Sequence, residues 1–148
     1  MPVFTDLIKD KKLFLDTNIF IYLLDETEIY FPQIRQLFKS IELGENKAIT
    51  SVISPLEVLS TKKLITNAEK EAEYSNFFVN TENLSIMDVD YYTCNKAAEM
   101  RRLYGFRVSD AIQLASSIVH KCDLLITNDY KFKVQDKILT LGVADLPL

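Results

Sequence analysis

The chain has 148 residues, 48% of them hydrophobic, with only three Gly and four Pro; this suits a single folded domain over 1–148 and excludes a disordered chain. No apolar run approaches the roughly 20 residues of a membrane span, and Met1-Pro2-Val3-Phe4-Thr5-Asp6 lacks the charged-then-apolar order of a signal peptide, so a cytoplasmic protein is expected. Seventeen basic residues against 21 acidic ones leave a net charge of −4, which excludes a protein that grips nucleic acid through bulk positive charge.

Short apolar runs alternate with longer helical patterns along the chain. Leu13-Phe14-Leu15 reads as the first strand. Asp16-Thr17-Asn18 then separates it from Ile19-Phe20-Ile21-Tyr22-Leu23-Leu24, whose β-branched and aromatic residues suit a hairpin as well as a helix. A six-residue apolar run without alternation favours a buried helix over 18–25, with Asp16 or Thr17 as its N-cap. A second helix is expected over 32–43, a strand at Lys47-Ala48-Ile49-Thr50, and a third helix over 54–65. That third helix opens on Ser54-Pro55-Leu56-Glu57, which has the form of a capping box: Ser at the N-cap, Pro at the first helical position and Glu at the third. A helix over 67–80, a strand at Leu84-Ser85-Ile86-Met87 and helices over 90–104 and 109–121 follow. Leu124-Leu125-Ile126-Thr127 and Ile138-Leu139-Thr140-Leu141 complete five strands. Near-continuous apolar strands interleaved with helices specify an α/β protein whose parallel sheet is covered on both faces.

Four acids, Asp16, Glu57, Asp110 and Asp129, recur where an apolar run meets a turn or a new helix. Each has an ordinary structural role. Asp16 caps a helix, Glu57 completes a capping box, Asp110 lies in a first turn where it favours the helix dipole, and Asp129 sits in the turn Thr127-Asn128-Asp129. Those roles do not explain the joint placement. In a parallel sheet the strand ends at Asp16, at Thr50-Ser51 before Glu57, and at Asp129 all open on one edge, where open α/β sheets bind ligands. Asp110 joins them if its helix, rich in Ala and Ile, runs with its N-terminus toward that edge. Carboxylates held against buried elements call for compensation, and a bound cation supplies it. These four acids equal the whole acidic excess of the chain.

The segments Leu15-Asp16-Thr17-Asn18-Ile19-Phe20, Ser54-Pro55-Leu56-Glu57-Val58, Ser109-Asp110-Ala111-Ile112-Gln113-Leu114-Ala115 and Leu125-Ile126-Thr127-Asn128-Asp129-Tyr130, in this order, resemble the PIN domain family. The resemblance spans Leu13 to about Leu141. It implies a three-layer α/β/α PIN-like fold with a five-stranded parallel sheet. It implies a metal centre of Asp16, Glu57, Asp110 and Asp129, with Asp16 and Asp110 as direct ligands and Thr17, Asn18 and Thr127 in support. Carboxylate oxygens suit Mg2+ or Mn2+, which can hold a phosphodiester and activate water. The implied activity is an endoribonuclease that leaves 5′-phosphate and 3′-hydroxyl ends. Small single-domain members are commonly VapC-like toxins, which implies an antitoxin partner and, often, a homodimer. Ile29-Tyr30-Phe31, Leu37-Phe38 and Ile41 are candidate partner-facing residues, and Tyr91-Tyr92 or Phe77-Phe78 candidate dimer residues, although core packing accounts for them equally.

Arg101, Arg102, Arg107, Lys131 and Lys133 lie near the last two motifs and are candidates for contacting RNA phosphates. The lone histidine, His120, ends a helix, which leaves no histidine pair for catalysis and argues against a Ser-His-Asp triad. Cys94 and Cys122 show no metal-ligand spacing. Two other functions fit parts of the pattern: a PIN-fold module that binds nucleic acid or regulates without cleavage, and a phosphorylation receiver domain using Met87-Asp88-Val89-Asp90.

Overall fold

The structure, a computed structural model, describes residues 7–146; the stretch 1–6, read above for a signal peptide, lies outside that span. Five strands form one parallel sheet: β1 (Lys12–Leu15), β2 (Lys47–Ser51), β3 (Leu84–Met87), β4 (Leu124–Ile126) and β5 (Leu139–Leu141). Their spatial order is β3-β2-β1-β4-β5, so the chain builds outward from β1 to one side and then crosses back to build β4 and β5 on the other. The reversal falls between β1 and β4. Such a topological switch point leaves a crevice at the carboxyl ends of the two strands, because the connections leaving them depart in opposite directions. This order also separates the fold from a receiver domain, whose strands run 2-1-3-4-5.

Alternation along the strands divides the interior into two cores. Leu13, Leu15, Ala48, Leu124 and Ile126 face a larger apolar cluster built with α1 (Thr17–Leu24), α2 (Phe31–Glu42), α3 (Ile53–Leu59) and α4 (Ala68–Asn80). Phe14, Ile49 and Leu125 face the opposite cluster, filled by α5 (Tyr91–Tyr104) and α6 (Val108–Val119). Residues one apart on a strand point to opposite faces, so both faces of each central strand must be apolar, and the short uninterrupted runs at 13–15 and 124–126 are the signature of that demand. On α6, Ala111, Leu114 and Ala115 recur at helical spacing, and all three are fully buried. Small alanines let this helix lie close on the sheet, which brings its N-terminal turn to the strand ends.

The expected elements form with small boundary shifts, save one. The helix expected over 54–65 is two pieces, α3 and a 3-10 turn at Lys62–Leu64, and α3 starts earlier than Ser54. The capping box at Ser54-Pro55-Leu56-Glu57 does not form. The hydroxyl of Ser51 at the end of β2 accepts from Ile53 N at 3.1 Å and serves the helix start instead. Ser54 is thereby carried inward, with no exposure to solvent, and Glu57 is released from any capping duty. Beside it, Lys63 Nζ and Tyr74 Oη both reach Asp25 Oδ1, at 2.5 and 2.6 Å, joining the 3-10 turn, α4 and the end of α1. Tyr74 is only 1% exposed, whereas Asp25 and Lys63 lie at the surface.

Of the apolar residues considered for interfaces, Leu37, Phe38, Ile41 and Phe78 are buried in the larger core and Phe77 packs against it. Ile29, Tyr91 and Tyr92 remain exposed. Among the described residues, no helix is long and apolar enough to cross a membrane.

Candidate functional site

The sheet architecture sends Asp16 to the end of β1 and Thr127 to the end of β4, on either side of the switch point. Asp16 has extended backbone (φ −74°, ψ 162°) and is the N-cap of α1, its Oδ1 accepting from Thr17 N at 2.8 Å. Its other oxygen, Oδ2, accepts from Thr127 Oγ1 at 2.7 Å, which ties the two strand ends together. Asn18 Nδ2 lies 3.4 Å from both Asp16 Oδ2 and Thr127 Oγ1, and Asn18 Oδ1 accepts from Asn128 N. A carboxylate only 5% exposed is thus held in one orientation by groups from both sides of the crevice.

Gln113 closes this arrangement from beneath and was not singled out by the sequence reading. Its side chain is 1% exposed, and Nε2 reaches Ser54 Oγ at 2.9 Å, Asp16 Oδ1 at 3.3 Å and Thr17 Oγ1 at 3.4 Å. Its Oε1 accepts from Ser51 Oγ. One amide therefore joins β2, α1, α3 and α6 under the acid. A signal for it exists in the sequence: Gln113 follows Asp110 by three residues, on the same face of a helix whose neighbouring positions are Ala, Ile and Leu, and a polar side chain on an apolar face needs partners. Ser54, freed from capping, belongs to the same network, with Thr50 Oγ1 at 2.7 Å and Thr17 Oγ1 at 3.2 Å.

Burial, opposed by hydrogen bonds from Thr127, Thr17 and Gln113 and reinforced by the charge of Asp110, pushes the Asp16 carboxyl up to about 6. Burial and then the charge of Asp129 also raise Asp110, while Arg107 and Lys131 pull it down. The charge of Asp129 thus bears on Asp110, and that of Asp110 on Asp16. Asp129 caps the 3-10 turn Tyr130–Val134 through Lys131 N, and its own N–H donates to Thr127 Oγ1. Glu57 stands apart from these aspartates and connects to them through Thr17, whose Oγ1 donates to Glu57 Oε1 at 2.7 Å.

The basic candidates divide. Arg107, at the N-cap of α6, has a largely exposed side chain with Nε 3.7 Å from Asp110 Oδ2, and Lys131 is close enough to act on the same acid. Lys133 lines a cleft beside Asp129. Arg101 is engaged elsewhere, its Nε donating to Phe106 O at 3.0 Å, and Arg102 is solvent-exposed.

A divalent cation fits these residues on one structural ground above others: Asp110 Oδ2 is buried and has no hydrogen-bond partner, since 3.7 Å to Arg107 is an ion pair and too long for a hydrogen bond. A buried carboxylate oxygen without a hydrogen bond, compensated only by one largely exposed guanidinium at 3.7 Å, is the donor chemistry that Mg2+ or Mn2+ satisfies. Among the described residues, no three His, Cys, Asp or Glu side chains make a ready-made cage. Mg2+ takes one or two carboxylates and completes its shell with water and phosphate oxygens.

The raised Asp16 value has a direct thermodynamic consequence. A folded-state value of about 6 against the ordinary 3.8 means the native chain holds this proton more tightly than the unfolded chain. Its stabilising contribution is complete below the ordinary value and is lost as pH rises through about 6. In metal-free protein, the stability of Asp16→Asn relative to wild type should therefore rise between pH 4 and 7 by on the order of 3 kcal/mol. Urea unfolding across that range measures it, and a difference that stays constant with pH would refute the strained acid.

Comparison with known proteins places this geometry in a family. The model of the PIN domain matches residues 13–138. No curated protein sequence matches the chain. Among solved structures, VapBC2 from Rickettsia felis bound to a promoter DNA fragment is similar at 18% identity and a TM-score of 0.72, covering 88% of this chain and 98% of that one. A toxin-antitoxin complex from Klebsiella pneumoniae follows at 22% identity and 0.64, covering 86% and 96%. VapC20 of Mycobacterium tuberculosis, a toxin that cleaves the sarcin-ricin loop, follows at 13% identity and 0.66, covering 82% and 93%. At these identities the structural likeness speaks for the fold, and the family-model match over most of the chain speaks for descent. The chain belongs to the PIN domain family.

Proposed function

We propose that this chain is a metal-dependent endoribonuclease and the toxin of a toxin-antitoxin pair. The observation that carries the nuclease reading is the buried oxygen of Asp110, which has an ion pair to Arg107 but no hydrogen bond, in electrostatic contact with Asp129 and with the buried, fully oriented Asp16. Hydrolysis of a phosphodiester at such a cluster requires positive charge, and the cluster is too acidic to hold a phosphate unaided. Asp16 and Asp110 would hold Mg2+ or Mn2+, with Glu57 and Asp129 completing the site or acting through water. A divalent ion bound there supplies Lewis acidity to the phosphate and lowers the pKa of an attacking water.

The chain's own residues set the orientation. Thr17 N, Thr127 and Gln113 fix the Asp16 oxygens, so the acid keeps its position when its charge changes. Thr17 also aims Glu57 toward the same edge. Arg107 and Lys131, at the rim beside Asp110, would contact the substrate phosphate. Single-stranded or looped RNA is the proposed substrate, because unstacked strands can lower a backbone phosphate into a crevice that a duplex spans. The toxin role rests on the resemblance of the fold to chains solved as toxin-antitoxin complexes.

Added Mn2+ or Mg2+ should give cleavage of single-stranded RNA by the wild-type chain, and Asp16→Asn should reduce the rate by about 100-fold or more, in line with the loss of an electrostatically essential group. Equal rates in a gel assay would sink the nuclease assignment. Mg2+ should also raise the melting temperature of the wild type and leave Asp110→Asn unmoved, a readout independent of turnover. For the toxin role, co-expression with the adjacent reading frame should yield a co-purifying partner that suppresses cleavage; an uninhibited, solitary chain would leave the nuclease and remove the toxin.

A further inference from the structure

Beside Asp129, on the side of the switch point away from Glu57, a cleft of about 220 Å³ opens between α1, the end of β5 and the 3-10 turn Tyr130–Val134. It has room for about seven water molecules at the ~30 Å³ each occupies in the liquid, the scale of one planar ring system with its solvent. Its lining is unusual for a surface cleft in carrying three tyrosines. The rings of Tyr22 and Tyr30 pair at 4.5 Å between centroids, tilted by 41°. Tyr130, the residue after Asp129, is 79% exposed, and Lys133 Nζ stands 5.1 Å from the centre of its ring. A large aromatic ring left in water contributes nothing to the core and costs solubility, so a face of this kind next to a candidate phosphate site points to a stacking partner. The far wall is polar and fixed: Asp145 accepts from Gly142 N at 2.8 Å, and Asn128 Oδ1 accepts from Val143 N at 2.8 Å.

We infer that this cleft is the binding site for one unpaired base of the substrate strand, adjacent to the phosphate that is cut, and that Asp145 selects a base carrying an exocyclic amino group over uracil. The inference rests on the nuclease reading for its substrate and on the cleft alone for its selectivity. Tyr130 offers the stacking face and Lys133 the charge for the neighbouring phosphate. A carboxylate such as that of Asp145 offers acceptor oxygens to a base. Adenine, cytosine and guanine present amino N–H groups to such an acceptor, whereas uracil flanks its one N–H with two carbonyl oxygens that the carboxylate repels. The Gly142 N–H holds Asp145 in place, so the acceptor is fixed before a base arrives.

Neutral nucleosides test the cleft without metal or cleavage. Titrated into metal-free protein and followed by NMR, cytidine and adenosine should bind about fivefold or more tightly than uridine, the scale of one to two well-placed polar contacts. Tyr130→Ala, at a position outside the core, should weaken all three by about tenfold. Asp145→Asn, which can still accept from Gly142 N, should abolish the preference of cytidine over uridine. Equal binding of cytidine and uridine to the wild type, or unchanged binding by Tyr130→Ala, would overturn the site. Mapping the ends of RNA fragments adds the second readout: cuts should fall at a constant offset from an amino-bearing base in wild type and lose that bias in Asp145→Asn. Selective nucleoside binding with no RNA cleavage would remove the nuclease and leave the cleft. Unbiased cleavage with indifferent nucleoside binding would remove the cleft and leave the nuclease.

Discussion

A carboxylate taken out of water at the end of β1 has to be compensated from its surroundings, and much of this structure is arranged around that demand. Asp16 is bonded by the backbone of its own helix, by Thr127 across the switch point and by Gln113 from below. None of these groups carries a positive charge. Hydrogen bonds alone leave the acid raised to about 6, with Asp110 adding to the strain. The polar network therefore orients the charge without neutralising it, and such a site is poised for an external cation.

The same demand organises the elements around it. Gln113 reaches Asp16 only because α6 lies close on the sheet, which its buried Ala111 and Ala115 permit. Ser54 meets Gln113 and Thr17 only because α3 begins before it, with Ser51 serving the helix start. Helix starts, strand ends and one buried amide are thus parts of a single hydrogen-bonded unit, in which the loss of one member leaves others unsatisfied in a low-dielectric setting. Glu57 belongs to the unit through the Thr17 hydroxyl alone.

Around this rigid centre the surface differs on its two flanks. Toward α1 and α3 lie Glu57 and the Asp25–Lys63–Tyr74 junction, where opposite charges pair and Tyr74 is buried. Toward β5 lie exposed Tyr130, Lys133 and the cleft ending at Asp145. The first flank carries a smaller cleft of about 130 Å³ and the second one of about 220 Å³. The larger volume and the exposed Tyr130 ring are the reason for placing a substrate base on the β5 side.

The sequence by itself determined the layers and the strands, because burying both faces of a central parallel strand requires uninterrupted apolar runs, and 13–15 and 124–126 show them. It also placed the acids at element ends, since Asp16, Asp110 and Asp129 stand beside turn and capping positions that local chemistry specifies. Local rules erred at Ser54, where a satisfactory capping box in the sequence gave way to Ser51, because Ser54 gains partners from α1 and α6 that no local window contains. They were silent on Gln113, whose four connections come from three other elements. Which acids feel one another and which one keeps an oxygen without a hydrogen bond follow from the strand order 3-2-1-4-5, and only the tertiary structure decided them. Long-range pairing brings residues about a hundred positions apart into contact, and the energy of a buried charge depends on that company rather than on its sequence neighbours.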